Sequence, residues 1–166
     1  GLSKLIVVGI SLDRDHDNPQ LIFESMNSTG RELSQADLIR KFILMGLGPN
    51  HQEELFESQW RPMEVDFGQE AYGDHFDGFM RHFLTVKTGE IPKIREVYEA
   101  FKAYARQPII ENAGVNELVK EIRVFARYYC AMLLGGEQNP KLRAAFLDLK
   151  ELKSDVTYPF LIEVYH

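Results

Sequence analysis

The chain has 166 residues, 45% of them apolar and 27% charged, and a formal net charge of −6. That apolar share excludes intrinsic disorder; the acidic balance excludes a chain that grips duplex nucleic acid through an overall basic footprint; and no apolar run reaches the roughly 18 residues that cross a bilayer. A single cysteine, Cys130, cannot form an internal disulfide, and no secretory leader pattern is present, so the expected compartment is the cytoplasm.

Residues 4–12, KLIVVGISL, are β-branched and apolar and too short for an ordinary helix. They predict one buried strand. A lone strand needs a partner, which is either a second copy of the chain in a homodimer or a sheet built from sequence upstream. The chain opens Gly1-Leu2-Ser3 and closes inside the apolar run 158–166, so it reads as a piece of a longer protein. Next come Asp13, Asp15 and Asp17 with His16. Alternating carboxylates hint at calcium, but a calcium loop counted from Asp13 needs Gly at its sixth position and finds Asn18, although Glu24 stands at the twelfth. A solvated loop is the simpler reading. Asn18 can cap a helix that begins at Pro19 and runs to about residue 27.

The segment Asn27-Ser28-Thr29-Gly30-Arg31 stops that helix. Gly30 can take the left-handed conformation that ends helices. Ser34 then starts the next one, with Asp37 three residues on in a near capping-box arrangement. Leu38, Ile39, Phe42, Ile43 and Leu47 follow at helical spacing, and Gly46, Gly48 and Pro49 end the pattern. This corner has two readings. N–H groups around Gly30 and at the start of the following helix can hold a phosphate, with Asn27 bonding a base, sugar or phosphate and Arg31 pairing with its charge. Alternatively, it is a turn between helices in which Asn27 and Ser34 bond the backbone.

Beyond the corner the periodicity predicts helices over about 50–60, 69–87, 92–107, 115–134, 139–152 and 156–166. Trp60-Arg61-Pro62-Met63-Glu64 breaks the flow, so 61–68 is expected to be a loop. Ile94, Val97, Tyr98, Phe101 and Tyr104 form one apolar stripe, Leu118, Ile122, Phe125, Tyr129 and Leu133 a second, and Leu142, Ala145, Phe146 and Leu149 a third. His75 and His82 share a helical face near Asp74 and Asp77. A zinc pair sits four residues apart rather than seven, and Phe76, Phe79 and Phe83 make this helix a core element, so hydrogen-bonded or solvated histidines are expected. Cys130 lies in RVFARYYCAMLL and reads as a buried, unreactive thiol. Phosphate-loop, dinucleotide-fold, nucleophile-elbow and kinase signatures are all missing.

The run Phe23-Glu24-Ser25-Met26-Asn27-Ser28-Thr29-Gly30-Arg31-Glu32-Leu33-Ser34, followed by Ala36-Asp37-Leu38-Ile39-Arg40, resembles the later half of the GmrSD N-terminal domain family. Its pattern is roughly F-E-x-[LIM]-N-x-x-G-x-x-L-[ST]-x-x-D-L-[IV]-[RK]. The resemblance covers about residues 5–44, and Val156-Thr157-Tyr158-Pro159-Phe160-Leu161-Ile162 resembles a helix start found there. Family members belong to modification-dependent, type IV-like restriction and phage-defence systems. Their N-terminal part is similar to the ParB and sulfiredoxin fold and is linked to nucleotide handling; a helical region and often an HNH-type nuclease module follow. An upstream D-G-Q-Q-R-like stretch and the HNH module are not in these 166 residues, and Lys41 stands where Asn is frequent.

The resemblance implies that Asn27, Gly30 and Arg31 line or brace a nucleotide pocket, with Phe23, Glu24, Leu33 and Asp37 supporting the corner. The expected fold is mainly α, an irregular helical bundle with one N-terminal strand left from a ParB-like α/β domain; residues 1–48 belong to that domain and 49–166 to the helical region. As to function, the segment is expected to contribute part of a nucleotide-handling domain and a helical linker to a nuclease module, and to be catalytically inert by itself. It carries no cofactor of its own, whereas the resemblance implies a nucleoside triphosphate and a divalent metal for the intact protein. Its partners are the upstream ParB-like segment and the downstream nuclease module; DNA is met only through the intact protein, and no membrane is involved. The alternative is a helical protein–protein interaction module without nuclease function.

Overall fold

The computed structural model describes residues 33–152 and 155–165. The chain divides into two compact units, 1–32 and 33–166. The predicted strand at 4–12, the acidic loop and the corner residues Phe23, Glu24, Asn27, Gly30 and Arg31 lie outside the described residues. The second unit is mainly helical: α1 Gln35–Leu44, α2 Pro49–Leu55, α3 Arg61–Phe67, α4 Gln69–Thr88, α5 Val97–Ala105, α6 Pro108–Ala113, α7 Val115–Leu133, α8 Pro140–Glu151 and α9 Tyr158–Tyr165.

Local chemistry sets most of the boundaries. The Ser34 hydroxyl accepts the Asp37 backbone N–H at 3.1 Å, and Asn139 caps α8 through the N–H groups of Lys141 and Leu142. These side chains satisfy donors that a helix start leaves without partners. Pro49, Pro62, Pro108 and Pro140 all occupy the first two positions of helices, where a missing N–H costs nothing. Gly89 ends α4 at φ +75, a conformation that L side chains rarely adopt.

Residues 61–67 are helical, which corrects the loop expected at 61–68. The sequence Trp60-Arg61-Pro62 does not break the chain direction. A π-helical turn, Phe56–Trp60, carries α2 straight into α3, and Pro62 falls in the first turn of the new helix. The true break is Gly68, at φ +78, between α3 and α4. Two further differences concern short elements. Pro92 does not open a helix; Ile94–Glu96 is a 3-10 turn that leads into α5, and Ile94 is 47% exposed. Pro108–Ala113 forms α6, a helix that the predicted spans omit.

α4 is the central element. Phe76, Phe79, Met80, Phe83 and Leu84 on it are fully buried. Helices α1, α3, α5, α7 and α9 all pack on it. Its ring-to-ring contacts run from Trp60–Phe76 at 5.7 Å through Phe79–Tyr129 at 5.5 Å to Phe83–Phe125 at 5.5 Å. Rings at these separations in tilted and edge-on poses add to the burial energy. Lys87 fastens α4 to α7 from the surface: its ammonium meets Glu121 at 2.9 Å and stands 4.3 Å from the Phe125 ring centre.

The stripes of α5 and α7 face this core as their spacing predicts: Val97, Tyr98, Phe101 and Tyr104, and Leu118, Ile122, Phe125, Tyr129 and Leu133, are buried. The stripe expected on α8 is not. Only Phe146 is buried there; Leu142 is 43% exposed and Ala145 is also exposed. α8 lies at the margin against α7, so one aromatic anchor suffices. The C-terminal helix α9 is held by Tyr165, whose hydroxyl donates to Glu137. Glu137 also accepts the Asn139 N–H at 2.6 Å, and these hydrogen bonds keep its carboxyl below the usual range. Among the described residues no helix is long and apolar enough to cross a membrane.

Candidate functional site

The described end of the corner is the start of α1, and side chains from three other elements converge on it. Asp37 faces back toward its own cap. Its carboxylate accepts the Ser34 hydroxyl at 3.0 Å and one Arg40 N–H at 2.8 Å. A different nitrogen of Arg40 donates to Glu64 of α3 at 2.7 Å. That same Glu64 oxygen accepts Trp60 Nε1–H at 3.1 Å, and the indole N–H is shared with the Tyr72 hydroxyl, also at 3.1 Å. The result is a continuous chain, Ser34–Asp37–Arg40–Glu64–Trp60–Tyr72. It ties α1 to the π turn, to α3 and to the first turns of α4. Arg40 and Glu64 side chains are 29% and 24% exposed, so the pair is partly shielded from water. Burial pushes the Tyr72 hydroxyl well above its ordinary value, which keeps it protonated.

A second tether comes from the middle of α4. The Asp77 carboxylate accepts the backbone N–H of Gln35 at 3.2 Å and of Ala36 at 2.7 Å, the first two helical positions of α1. It thus serves as a cap supplied from 41 residues away. Burial raises the Asp77 pKa, and the two N–H donors oppose that rise. In turn the Gln35 side-chain oxygen accepts the Tyr98 N–H at 2.8 Å near the start of α5. One helix start is therefore capped from α4 and itself caps another. Leu33, just ahead of it, is half-buried.

Beside this network lies a groove of about 520 Å³, lined by Arg40, Glu64 and Tyr72 together with Arg61, Val65, Gly68 and Gln69. Arg61 pairs with Glu57 across one helical turn at 2.7 Å. Both arginines of the groove thus already hold carboxylates. The arrangement fixes the orientation of α1; Arg40 acts as a clamp rather than as an open anion receptor.

The histidines expected to be hydrogen-bonded or solvated are placed separately, and His82 is buried rather than solvated. Seven residues of helix put His75 and His82 roughly 10 Å apart along the axis, too far to share an ion. Asp77, between them, is committed to α1. Among the described residues no group of three His, Cys, Asp or Glu lies close enough to hold a metal ion. His82 is 7% exposed and packs against the Tyr129 and Tyr158 rings at 6.0 and 5.6 Å. Burial, assisted by the Arg81 charge, drives its pKa down to about 4, so it is neutral at pH 7. Cys130 is buried on α7 beside a groove of about 420 Å³. Burial pushes its thiol up to about 12, which removes the thiolate needed for nucleophilic or redox chemistry.

Sequence reasoning singled out Ser34 and Asp37, and named Arg40 only within the resembling run. It missed Trp60, Glu64, Tyr72 and the capping role of Asp77. A signal existed for one pair alone: Trp60 and Glu64 are four apart, hence neighbours once 61–67 is taken as a helix. Comparison with known protein families, with curated proteins and with solved structures gives no match.

Proposed function

We propose that this segment works inside a modification-dependent restriction or phage-defence protein. In that reading it supplies the later part of a ParB-like nucleotide-handling domain and a helical linker that leads to a nuclease module. Asn27, Gly30 and Arg31 line or brace the nucleotide pocket, and Phe23, Glu24, Leu33 and Asp37 support it. A nucleoside triphosphate and a divalent metal belong to the intact protein, which acts on modified DNA in the cytoplasm. The 166 residues by themselves are catalytically inert.

The observation that supports this reading is where the resemblance ends. Asp37 and Arg40, the two charged residues of Ala36-Asp37-Leu38-Ile39-Arg40, bond one another and reach Glu64 and, through it, Trp60. A motif clamped in this way onto a helical body suits a part that passes a change in its pocket to a neighbouring module. The test is nucleotide binding by the intact protein, followed with a fluorescent triphosphate. Asn27→Ala and Arg31→Ala are expected to weaken binding by roughly tenfold or more, the loss of one charged hydrogen bond. Lys41→Ala, outside the corner, should leave it unchanged. Equal binding by all of these proteins would remove the corner from the pocket. Triphosphate hydrolysis by the 166-residue chain at the rate of the intact protein would contradict the inert role.

A further inference from the structure

The groove of about 420 Å³ beside Cys130 is framed by α3, α7, the loop that follows α7, and α9. Small-molecule sites occupy roughly 300–1,000 Å³, and this groove falls at the small end. Cys130 forms part of its floor, and the raised thiol stays neutral. Gly136 closes it from the loop. A Cβ at that position would stand 3.4 Å from the Ala131 Cα, so the loop lies directly on α7. One wall is aromatic: the Tyr128 and Tyr165 rings meet edge to face with centres 5.3 Å apart. The Tyr165 hydroxyl donates to Glu137, which holds that ring in place before any ligand arrives.

Two opposite charges line the same groove, Asp66 from the last turn of α3 and Arg127 from α7. Arg40, Arg61, Arg81 and Arg123 each hold a carboxylate or a carbonyl. Among the described residues Arg127 and Asp66 form no ion pair or hydrogen bond, with each other or with any neighbour. Both bear on one spot. The Asp66 charge adds to burial in raising the Cys130 thiol, and Arg127 stands one helical turn before Cys130 and Ala131. A ligand of one sign would satisfy one of these groups and meet repulsion from the other. A small dipolar ion satisfies both.

We propose that this groove binds a free α-amino acid with an aromatic or large apolar side chain. Its carboxylate meets the Arg127 guanidinium, whose planar fork of donors matches two carboxylate oxygens. Its ammonium meets Asp66, and its side chain lies along the Tyr128 and Tyr165 rings. The inference does not depend on the nucleotide reading and stands or falls separately from it.

The test titrates the protein at low salt with L-phenylalanine and with two analogues that each lack one charge, phenylpropanoate and phenylethylamine, followed by calorimetry and NMR. Phenylalanine is expected to bind about tenfold or more tighter than either analogue, because each analogue forfeits one charged hydrogen bond. Arg127→Gln should weaken phenylalanine and phenylpropanoate about tenfold without weakening phenylethylamine. Asp66→Asn should weaken phenylalanine and phenylethylamine by a similar factor without weakening phenylpropanoate. Both side chains are exposed, so helical circular dichroism should be unchanged in the variants. Analogues that bind as tightly as phenylalanine, variants that leave phenylalanine binding unchanged, or no phenylalanine binding at about 10 mM overturn the proposal.

Discussion

Lowering the pH should loosen this molecule through one imidazole. His82 sits 7% exposed between Tyr129 and Tyr158, with Arg81 next to it and Asp155 exerting a weaker opposite pull. Its pKa falls from an ordinary 6.5 to about 4. The unfolded chain therefore takes up a proton below pH 6.5 that the folded chain refuses until about pH 4. Stability from this residue is complete above pH 6.5, declines as pH falls, and is lost once pH drops through about 4. The displacement corresponds to a ceiling of about 3 kcal/mol, of which about 2 kcal/mol is spent by pH 5. Urea unfolding at pH 7.5 and 5.0, followed by the fluorescence of the single, fully buried Trp60, measures it. Comparison with His82→Phe and His82→Gln cancels the carboxylates common to all three proteins. The wild type should lose about 2 kcal/mol more than either variant between the two pH values. An NMR titration should place the imidazole near pH 4. The same pH dependence in all three proteins, or a titration near 6.5, would refute the reasoning.

Glu64→Ala removes the acceptor shared by Arg40 and Trp60, and should cost about 1–2 kcal/mol in denaturant unfolding, because partly shielded partners are stranded. Asp77→Ala should cost a similar ~1–2 kcal/mol through the lost cap of α1, whereas Asp77→Asn, which keeps an acceptor oxygen, should cost less than half of that. Phe79→Ala, at the fully buried centre of α4, should destabilise by about 3–5 kcal/mol or prevent folding. Cys130 should react with a thiol reagent only after denaturation; rapid labelling of the native protein would show that the thiol is not shielded as described.

Where apolar residues recur every three or four positions against a large partner, the helices were legible in the sequence. α7 buries the stripe read from its spacing, and α5 all of its own but Ile94, because each faces α4. The same rule failed on α8, whose stripe has little to lie against, since periodicity tells which side chains share a face but not whether a neighbour covers it. Pro62 misled for a local reason: Trp60-Arg61-Pro62 resembles a break, yet the π turn delivers proline into a first turn, where it is tolerated. Pro108 with Gly114 was a usable signal for α6, and only the shortness of that helix hid it. Of the contacts at the candidate site, the local cap between Ser34 and Asp37 followed from helix-start spacing. The distant ones did not. Asp77 meets Gln35 and Ala36 across some 40 residues, and Glu64 meets Arg40 across 24. Such pairs depend on how helices cross, which no short window of sequence contains.

DNA cleavage by the longer protein in which we propose that this segment works tests the central claim most directly. Modified and unmodified DNA would be incubated with the protein, with and without a nucleoside triphosphate, alongside Asn27→Ala and Arg31→Ala. The account predicts cleavage of modified DNA only when the triphosphate is present, and loss of that cleavage in both variants. Cleavage that needs no triphosphate, or that survives both substitutions, would contradict a nucleotide-handling role for the corner. No cleavage and no triphosphate binding by the intact protein would leave the helical interaction module as the better account.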